Sequence, residues 1–83
     1  MLDIKVLGPG CMNCKRLENL CREVVDEKKW AANIEKITDY NEFAKYDVMM
    51  IPGLVVNGKV LSQGKMPVKS TLERWLEDEI KSE

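Results

Sequence analysis

The chain has 83 residues, enough for one domain with a single modest hydrophobic core, so we expect residues 1–83 to form one domain. Its 13 basic and 14 acidic side chains give a net charge of −1, and no block of like charge predicts a surface for nucleic acid or an anionic membrane. No apolar run approaches the roughly 18 residues of a membrane span, and no signal-peptide pattern precedes the first strand, so we expect a cytoplasmic protein.

The cysteine content is more typical of a reactive thiol site than of a secreted protein held together by disulfides. The chain has three cysteines, an odd number that fits a secreted disulfide framework poorly. It has no histidine, which removes the commonest general base and metal ligand. In a reducing compartment, a Cys-x-x-Cys pair is more often catalytic or metal-binding than structural.

The first half of the chain is predicted to form a strand, a helix and a second strand. Apolar and polar residues alternate over 2–7, which predicts a strand, and the glycines and proline at 8–10 end it. From Cys11 to about Lys29, apolar residues recur every three or four positions, which predicts an amphipathic helix of about five turns. A weakly patterned strand is predicted over 34–38, at an edge of the sheet.

A short helix and a hairpin are predicted next. Residues 38–39 supply the N-cap of the helix, which must end near 46–47. Two apolar runs, 54–56 and 59–61, flank Asn57-Gly58, the dipeptide that most strongly predicts a tight β-hairpin.

A third helix is predicted after a loop at 62–65. Pro67 suits the first position of this helix, and an apolar stripe marks its buried face: Val68, Leu72, Trp75, Leu76 and Ile80. A capping box at Ser70-x-x-Glu73 would start the helix later, but Val68 lies on the same stripe, so we expect the earlier start. The acidic run 77–79 is expected to face solvent.

The element order is therefore β-α-β-α-β-β-α, which predicts an α/β fold. A strand-helix-strand beginning implies a right-handed crossover and parallel pairing of the first two strands. The hairpin adds two antiparallel strands. We expect helices on both faces of one four-stranded mixed sheet.

Cys11 and Cys14 are the candidate reactive residues. At the start of a helix, unsatisfied N–H groups and the positive end of the dipole favour a thiolate, and such a position can lower the pKa of a thiol from roughly 8.5 to about 7 or below. Residues three apart on a helix have Cβ atoms roughly 5 to 6 Å apart, which is close enough for a disulfide after a small adjustment. The pair can therefore cycle between dithiol and disulfide.

The third cysteine, Cys21, is expected to be a core thiol. It lies seven residues beyond Cys14, about 10.5 Å along an intact helix, which is too far for a disulfide with either partner. The same distance weakens a mononuclear zinc site, so no metal ligand is assigned. Two alternatives to a redox enzyme stay open: a carrier that holds a soft metal such as Cu(I) between the two thiolates, and a regulatory protein whose disulfide only senses redox state.

The whole pattern resembles the thioredoxin fold, and more narrowly the small thioredoxin-like "redox-active disulfide" proteins of archaea and bacteria. Two runs carry the resemblance, Gly8-Pro9-Gly10-Cys11-Met12-Asn13-Cys14 and residues 48–59, where Ile51-Pro52 precedes the hairpin. It extends over essentially the whole chain, and the family's sheet has the strand order 2-1-3-4. Metal carriers with Cys-x-x-Cys end in a strand, whereas this chain is predicted to end in a helix, which favours the redox interpretation.

The resemblance implies a role for each residue of the site. Cys11 would attack a disulfide of a protein substrate, Cys14 would resolve the mixed disulfide, and Pro52 would be a cis-proline opposite the pair. The backbone of Ile51 would dock an extended substrate chain, with Met12 and Asn13 beside it. No bound cofactor is needed. Electrons would come from an external reductase of the thioredoxin-reductase type, and we expect a monomer.

The chain departs from better-known members of that superfamily at three places. Thioredoxins proper have Gly-Pro between the cysteines, where this chain has Met12-Asn13, and a buried acid where this chain has Lys5. Glutaredoxins hold the glutathione carboxylate with a Gly-Gly-x-Asp turn, which is replaced here by residues 63–66. Glutathione is therefore not expected to be the reductant. Met49 and Met50 are expected either to form an apolar rim for substrates or to fill gaps in the core.

Overall fold

The computed structural model describes residues 2–81. Its elements follow the predicted order and run as β1 (Leu2–Leu7), α1 (Met12–Lys28), β2 (Ala32–Ile37), α2 (Tyr40–Lys45), β3 (Gly53–Val56), β4 (Lys59–Gln63) and α3 (Lys69–Lys81). No helix of this part of the chain has both the length and the apolar character needed to cross a membrane.

The four strands form one mixed sheet in the order β2-β1-β3-β4. β1 pairs with β2 in parallel, and the pairs β1 with β3 and β3 with β4 are antiparallel. At the hairpin, Asn57 and Gly58 have φ angles of 52° and 83°. Two successive positive φ angles match the right-handed twist of the flanking strands, which explains the preference for Asn-Gly. The predicted topology and hairpin are confirmed.

The alternation in β1 divides the core between the two faces of the sheet. Leu2, Ile4 and Val6 are fully buried on one face, where α1 and α3 pack against them. On the other face, Leu7 packs with Phe43 of α2 and with the buried residues 48 and 55. Helices therefore cover both faces, as predicted.

Two strands extend beyond their predicted limits. β2 begins at Ala32 and not at Ile34, because the parallel register pairs Leu2 with Ala32 and continues through all six residues of β1. β4 continues to Gln63 because its partner strand offers Gly53 opposite it. Pairing with the neighbouring strand sets both limits. The residue pattern of either segment alone is too weak to predict where the strand begins or ends.

The start of α3 differs from the prediction. Its first residue is Lys69, so Val68 lies one position before the helix. The backbone carbonyl of Val68 accepts the N–H of Leu72 at 3.0 Å and so caps the first turn. The Val68 side chain is 65 % exposed. The prediction that α3 starts before Val68 is therefore wrong, because Val68 lies outside the helix and the helical period applies only to residues within it.

Glu79 does not face solvent as the acidic run predicted. It is 7 % exposed, and its carboxylate lies 3.4 Å from the ammonium group of Lys59 on β4. Because α3 packs along the sheet, this turn of the helix lies against the hairpin. A charged group in such a place needs a partner, and Lys59 supplies one.

Candidate active site

The loop at 8–10 carries the chain from β1 into α1. The N–H of Gly8 donates to the carbonyl of Ile37 at 2.8 Å, which extends the β1–β2 pairing by one step. Gly10 then has a φ of +95°, in the left-handed region that favours glycine. This turn ends at Cys11, which therefore lies at the edge of the sheet that is formed by the C-terminal end of β1.

Cys11 is the N-cap of α1. It has an extended backbone, with φ −64° and ψ 165°. Its sulfur accepts the N–H of Cys14 at 3.2 Å, and its carbonyl accepts the N–H of Lys15 at 3.0 Å. The sulfur thus occupies the place of a capping oxygen, at the positive end of the helix dipole, where negative charge is stabilised.

The two sulfurs of Cys11 and Cys14 are joined in a disulfide with a Cα–Cα distance of 5.1 Å, inside the usual range for such bonds. Their surroundings differ. Cys11 is half-buried, whereas Cys14 is fully buried. One sulfur can be approached from solvent and the other is covered.

Gly8 covers the sulfur of Cys14. A Cβ added at Gly8 would overlap the Cys14 sulfur and would lie 3.1 Å from the Cys14 Cβ. The backbone of the loop can therefore approach this sulfur only because residue 8 has no side chain. The sequence marks Gly8 as a strand breaker, and the structure gives it this second role.

The Ile51–Pro52 segment lies at the same sheet edge as the cysteines. The antiparallel register pairs Leu7 with Gly53, so Gly8 and Pro52 are the next residues beyond the paired strands. The Ile51–Pro52 peptide bond is cis. Pro52 is buried and Ile51 is half-buried. The topology therefore brings both predicted parts of the site together.

Exposed methionines surround this edge. Met12, Met49 and Met50 are 70 %, 92 % and 58 % exposed, so none of them fills a gap in the core. Beside Met49 lies an apolar groove of about 470 Å³ whose walls come from α2 and the segment that follows it, namely Tyr40, Phe43, Ala44, Asp47, Val48, Met49 and Ile51. Asn13, the remaining predicted substrate contact, is exposed on the first turn of α1.

One contact at this edge has no signal in the sequence. The side-chain oxygen of Gln63 accepts the N–H of Met49 at 2.8 Å and the N–H of Met50 at 3.2 Å. The sequence predicts only that Gln63 lies in the loop at 62–65. A single polar residue at a strand end has no pattern that reveals a partner 13 or 14 residues away.

Cys21 is fully buried in the core on the α1 side of the sheet, as predicted. Burial, with a smaller contribution from the nearby Glu18 carboxylate, raises the pKa of the Cys21 thiol to about 12. The thiol therefore stays protonated and unreactive at neutral pH. Among the described residues, no group of three or more potential ligands is placed to share a metal ion.

Lys5 lies on β1, at the position where the resemblance to thioredoxins would place a buried acid. Burial alone would lower the pKa of its ammonium group, but the hydrogen bond to Asp3 and the charges of Asp3 and Glu35 outweigh burial and raise the pKa. The ammonium nitrogen lies 3.3 Å from Asp3 and 3.8 Å from Glu35. Lys5 is thus a charged residue held by two carboxylates and not a proton acceptor.

Comparisons with known proteins agree with this geometry. A family described as "Thioredoxin domain" matches residues 2–77. A thioredoxin of Methanothermobacter thermautotrophicus is 33 % identical over 76 residues, which are 92 % of this chain and 99 % of that protein. A thioredoxin of Methanocaldococcus jannaschii is 32 % identical over 81 residues, or 93 % of each chain.

A solved structure has the same fold. A mutant thioredoxin from Halobacterium salinarum NRC-1 superimposes with a TM-score of 0.70 at 18 % identity, over 93 % of this chain and 73 % of that one. The family match and the two relatives cover nearly the whole sequence. The chain therefore belongs to the thioredoxin family and is a thiol–disulfide oxidoreductase.

Proposed function

We propose that this protein reduces disulfides of protein substrates, with Cys11 as the attacking thiol and Cys14 as the resolving thiol. The observation that carries the proposal is the unequal pair at the start of α1, in which Cys11 is half-buried and Cys14 is fully buried. A substrate can reach only the first sulfur. The second is held beside the first, where it can attack a bond formed there.

The reaction balances without a bound cofactor. The Cys11 thiolate attacks one sulfur of the target disulfide, and the other target sulfur leaves as a thiolate that takes up a proton. The Cys14 thiol then loses its proton and attacks the Cys11 sulfur, and the second target sulfur leaves as a thiolate that takes up a proton. Two electrons pass to the target, and the Cys11–Cys14 disulfide remains. An external reductase of the thioredoxin-reductase type supplies the next two electrons.

Substrate docking is assigned to the residues around the reactive sulfur. The backbone of Ile51, held by Pro52, receives an extended stretch of the substrate chain next to its disulfide. Met12 and Asn13 contact the substrate from the first turn of α1. The protein works as a single domain of residues 1–83, as a monomer in the cytoplasm, without nucleic acid or membrane partners.

A single-turnover experiment tests this proposal. The fully reduced protein is mixed without reductant with one equivalent of a peptide that has one intramolecular disulfide. The mixture is then alkylated, unfolded and labelled with a second reagent. We expect one opened peptide disulfide per protein molecule, with Cys11 and Cys14 protected from both reagents as a disulfide. Cys21 receives only the second label, because burial raises its pKa to about 12.

The same labelling pattern identifies failure. A peptide disulfide that stays closed would contradict the reductase proposal. A new disulfide that includes Cys21 would contradict the assignment of the reactive pair.

A further inference from the structure

Gln63 joins the end of β4 to the segment that precedes Pro52. Its side-chain oxygen accepts two successive backbone N–H groups, those of Met49 at 2.8 Å and Met50 at 3.2 Å. Both bonds are at the surface and link residues 14 and 13 positions apart. One carboxamide oxygen thus fixes two adjacent peptide groups of a segment that belongs to neither a helix nor a strand.

The neighbouring residue holds the other end of the same segment. The N–H of Gly64 donates to the carbonyl of Pro52 at 3.0 Å. A Cβ at Gly64 would lie 2.7 Å from the Met50 Cε and 3.1 Å from the Met50 Cβ, so Met50 lies directly on the glycine. Residues 63–64 therefore contact the segment 49–52 at both ends, and we call this segment the pre-strand loop.

The Met49–Met50 part of the pre-strand loop depends on hydrogen bonds for support, whereas Ile51 packs against the core and Pro52 is buried. The side chains of Met49 and Met50 are mostly exposed, so little apolar burial fixes their backbone. A stretch of backbone whose side chains make few buried contacts, such as Met49–Met50, opens locally at low free energy unless hydrogen bonds restrain it. The same loop contains Ile51, whose backbone is the proposed docking element for substrate.

We propose that Gln63 is a positioning residue for substrate docking, which it serves by holding the pre-strand loop through its carboxamide oxygen. The inference rests on the proposed function, since it concerns how the loop receives a substrate chain. A loop that samples several conformations must adopt the binding conformation before the substrate docks. The apparent affinity for the substrate is therefore reduced in proportion to the fraction of molecules whose loop has that conformation. The chemistry at Cys11 does not depend on this oxygen.

Two substitutions separate the oxygen from the rest of the side chain. Gln63→Met keeps the length but has no acceptor for the two N–H groups, and Gln63→Glu keeps an acceptor at the same position. We expect Gln63→Met to raise KM for insulin reduction about three- to tenfold with little change in kcat, as for the loss of one or two surface hydrogen bonds. Gln63→Glu should restore KM to within about twofold of the wild type.

Two readouts distinguish positioning from a general loss of structure. The rate of Cys11 alkylation in the reduced protein should be the same in the wild type and Gln63→Met. Hydrogen exchange at the Met49 and Met50 amides should accelerate in Gln63→Met and return towards the wild-type rate in Gln63→Glu. Exchange in β1 should not change.

The outcomes are distinct from those that test the reductase itself. An inactive wild type would contradict the proposed function. An active wild type with an equally active Gln63→Met would overturn the positioning role. Failure of Gln63→Glu to restore KM would also overturn it, as would a slower alkylation of Cys11 in Gln63→Met.

A second measurement applies if Gln63→Met does not fold. Hydrogen exchange at the Met49 and Met50 amides is then compared between Gln63→Glu and the wild type, and loss of protection despite the retained acceptor overturns the proposal.

Discussion

Replacement of Cys11 by serine is expected to lower the rate of insulin disulfide reduction at least about 100-fold, to the rate of dithiothreitol alone. A serine hydroxyl is not ionised at neutral pH and cannot attack the substrate disulfide. Cys14 cannot take over, because it is fully buried. The measurement is steady-state insulin reduction with dithiothreitol as the electron source.

Cys21 provides the matched control for this loss. It is also a thiol on α1, but it is buried in the core, and burial raises its pKa to about 12. The variant Cys21→Ala removes this thiol without adding a buried polar group, and it should retain the wild-type rate. Substantial turnover by Cys11→Ser, or an equal loss in Cys21→Ala, would show that the reactive thiol has been misassigned.

Replacement of Gly8 by alanine is expected to destabilise the fold by about 1 to 3 kcal/mol, the usual cost of an extra methyl group in a well-packed place. The new Cβ would overlap the sulfur of Cys14, which is fully buried, so the loop or the Cys14 side chain must shift to admit it. Backbone strain does not enter, because Gly8 is not among the positive-φ glycines. Denaturant unfolding of the two proteins, in the oxidised and reduced forms, measures the cost.

A double-mutant cycle isolates the contact between residue 8 and the Cys14 sulfur. In the Cys14→Ala background this sulfur is absent, so Gly8→Ala should cost less than about half as much free energy of unfolding. All four proteins are compared in reducing buffer, so that no disulfide contributes. An equal cost in both backgrounds would mean that the alanine methyl group meets something other than the sulfur.

Features set by local chemistry could be predicted from the sequence. The periods of β1 and α1, and the Asn57-Gly58 turn, depend on residues that lie close together in the chain. The parallel pairing of the first two strands follows from these elements and from the handedness of crossovers, whereas the full order 2-1-3-4 is implied by the resemblance to the thioredoxin fold. The same information placed Cys11 and Cys14 at the first turn of α1.

Features set by contacts between distant residues could not be predicted in this way. The start of β2 depends on its register with β1, and the burial of Glu79 depends on Lys59, 20 residues earlier in the chain. At Val68 a local pattern gave a wrong prediction, because a residue one position outside a helix can match its apolar period by chance. The contact of Gly8 with the Cys14 sulfur requires the folded loop, since nothing in the glycine itself specifies its neighbour.

The roles of the two cysteines are tested most directly by trapping the intermediate. Reduced Cys14→Ser and reduced Cys11→Ser are each mixed with a disulfide-bonded protein substrate, and the products are separated without reductant and identified by mass spectrometry. We expect a stable mixed disulfide between Cys11 and the substrate in Cys14→Ser, because no second thiol can release it. We expect no such adduct in Cys11→Ser. A mixed disulfide that forms through Cys14 in Cys11→Ser, and none in Cys14→Ser, would contradict the assignment.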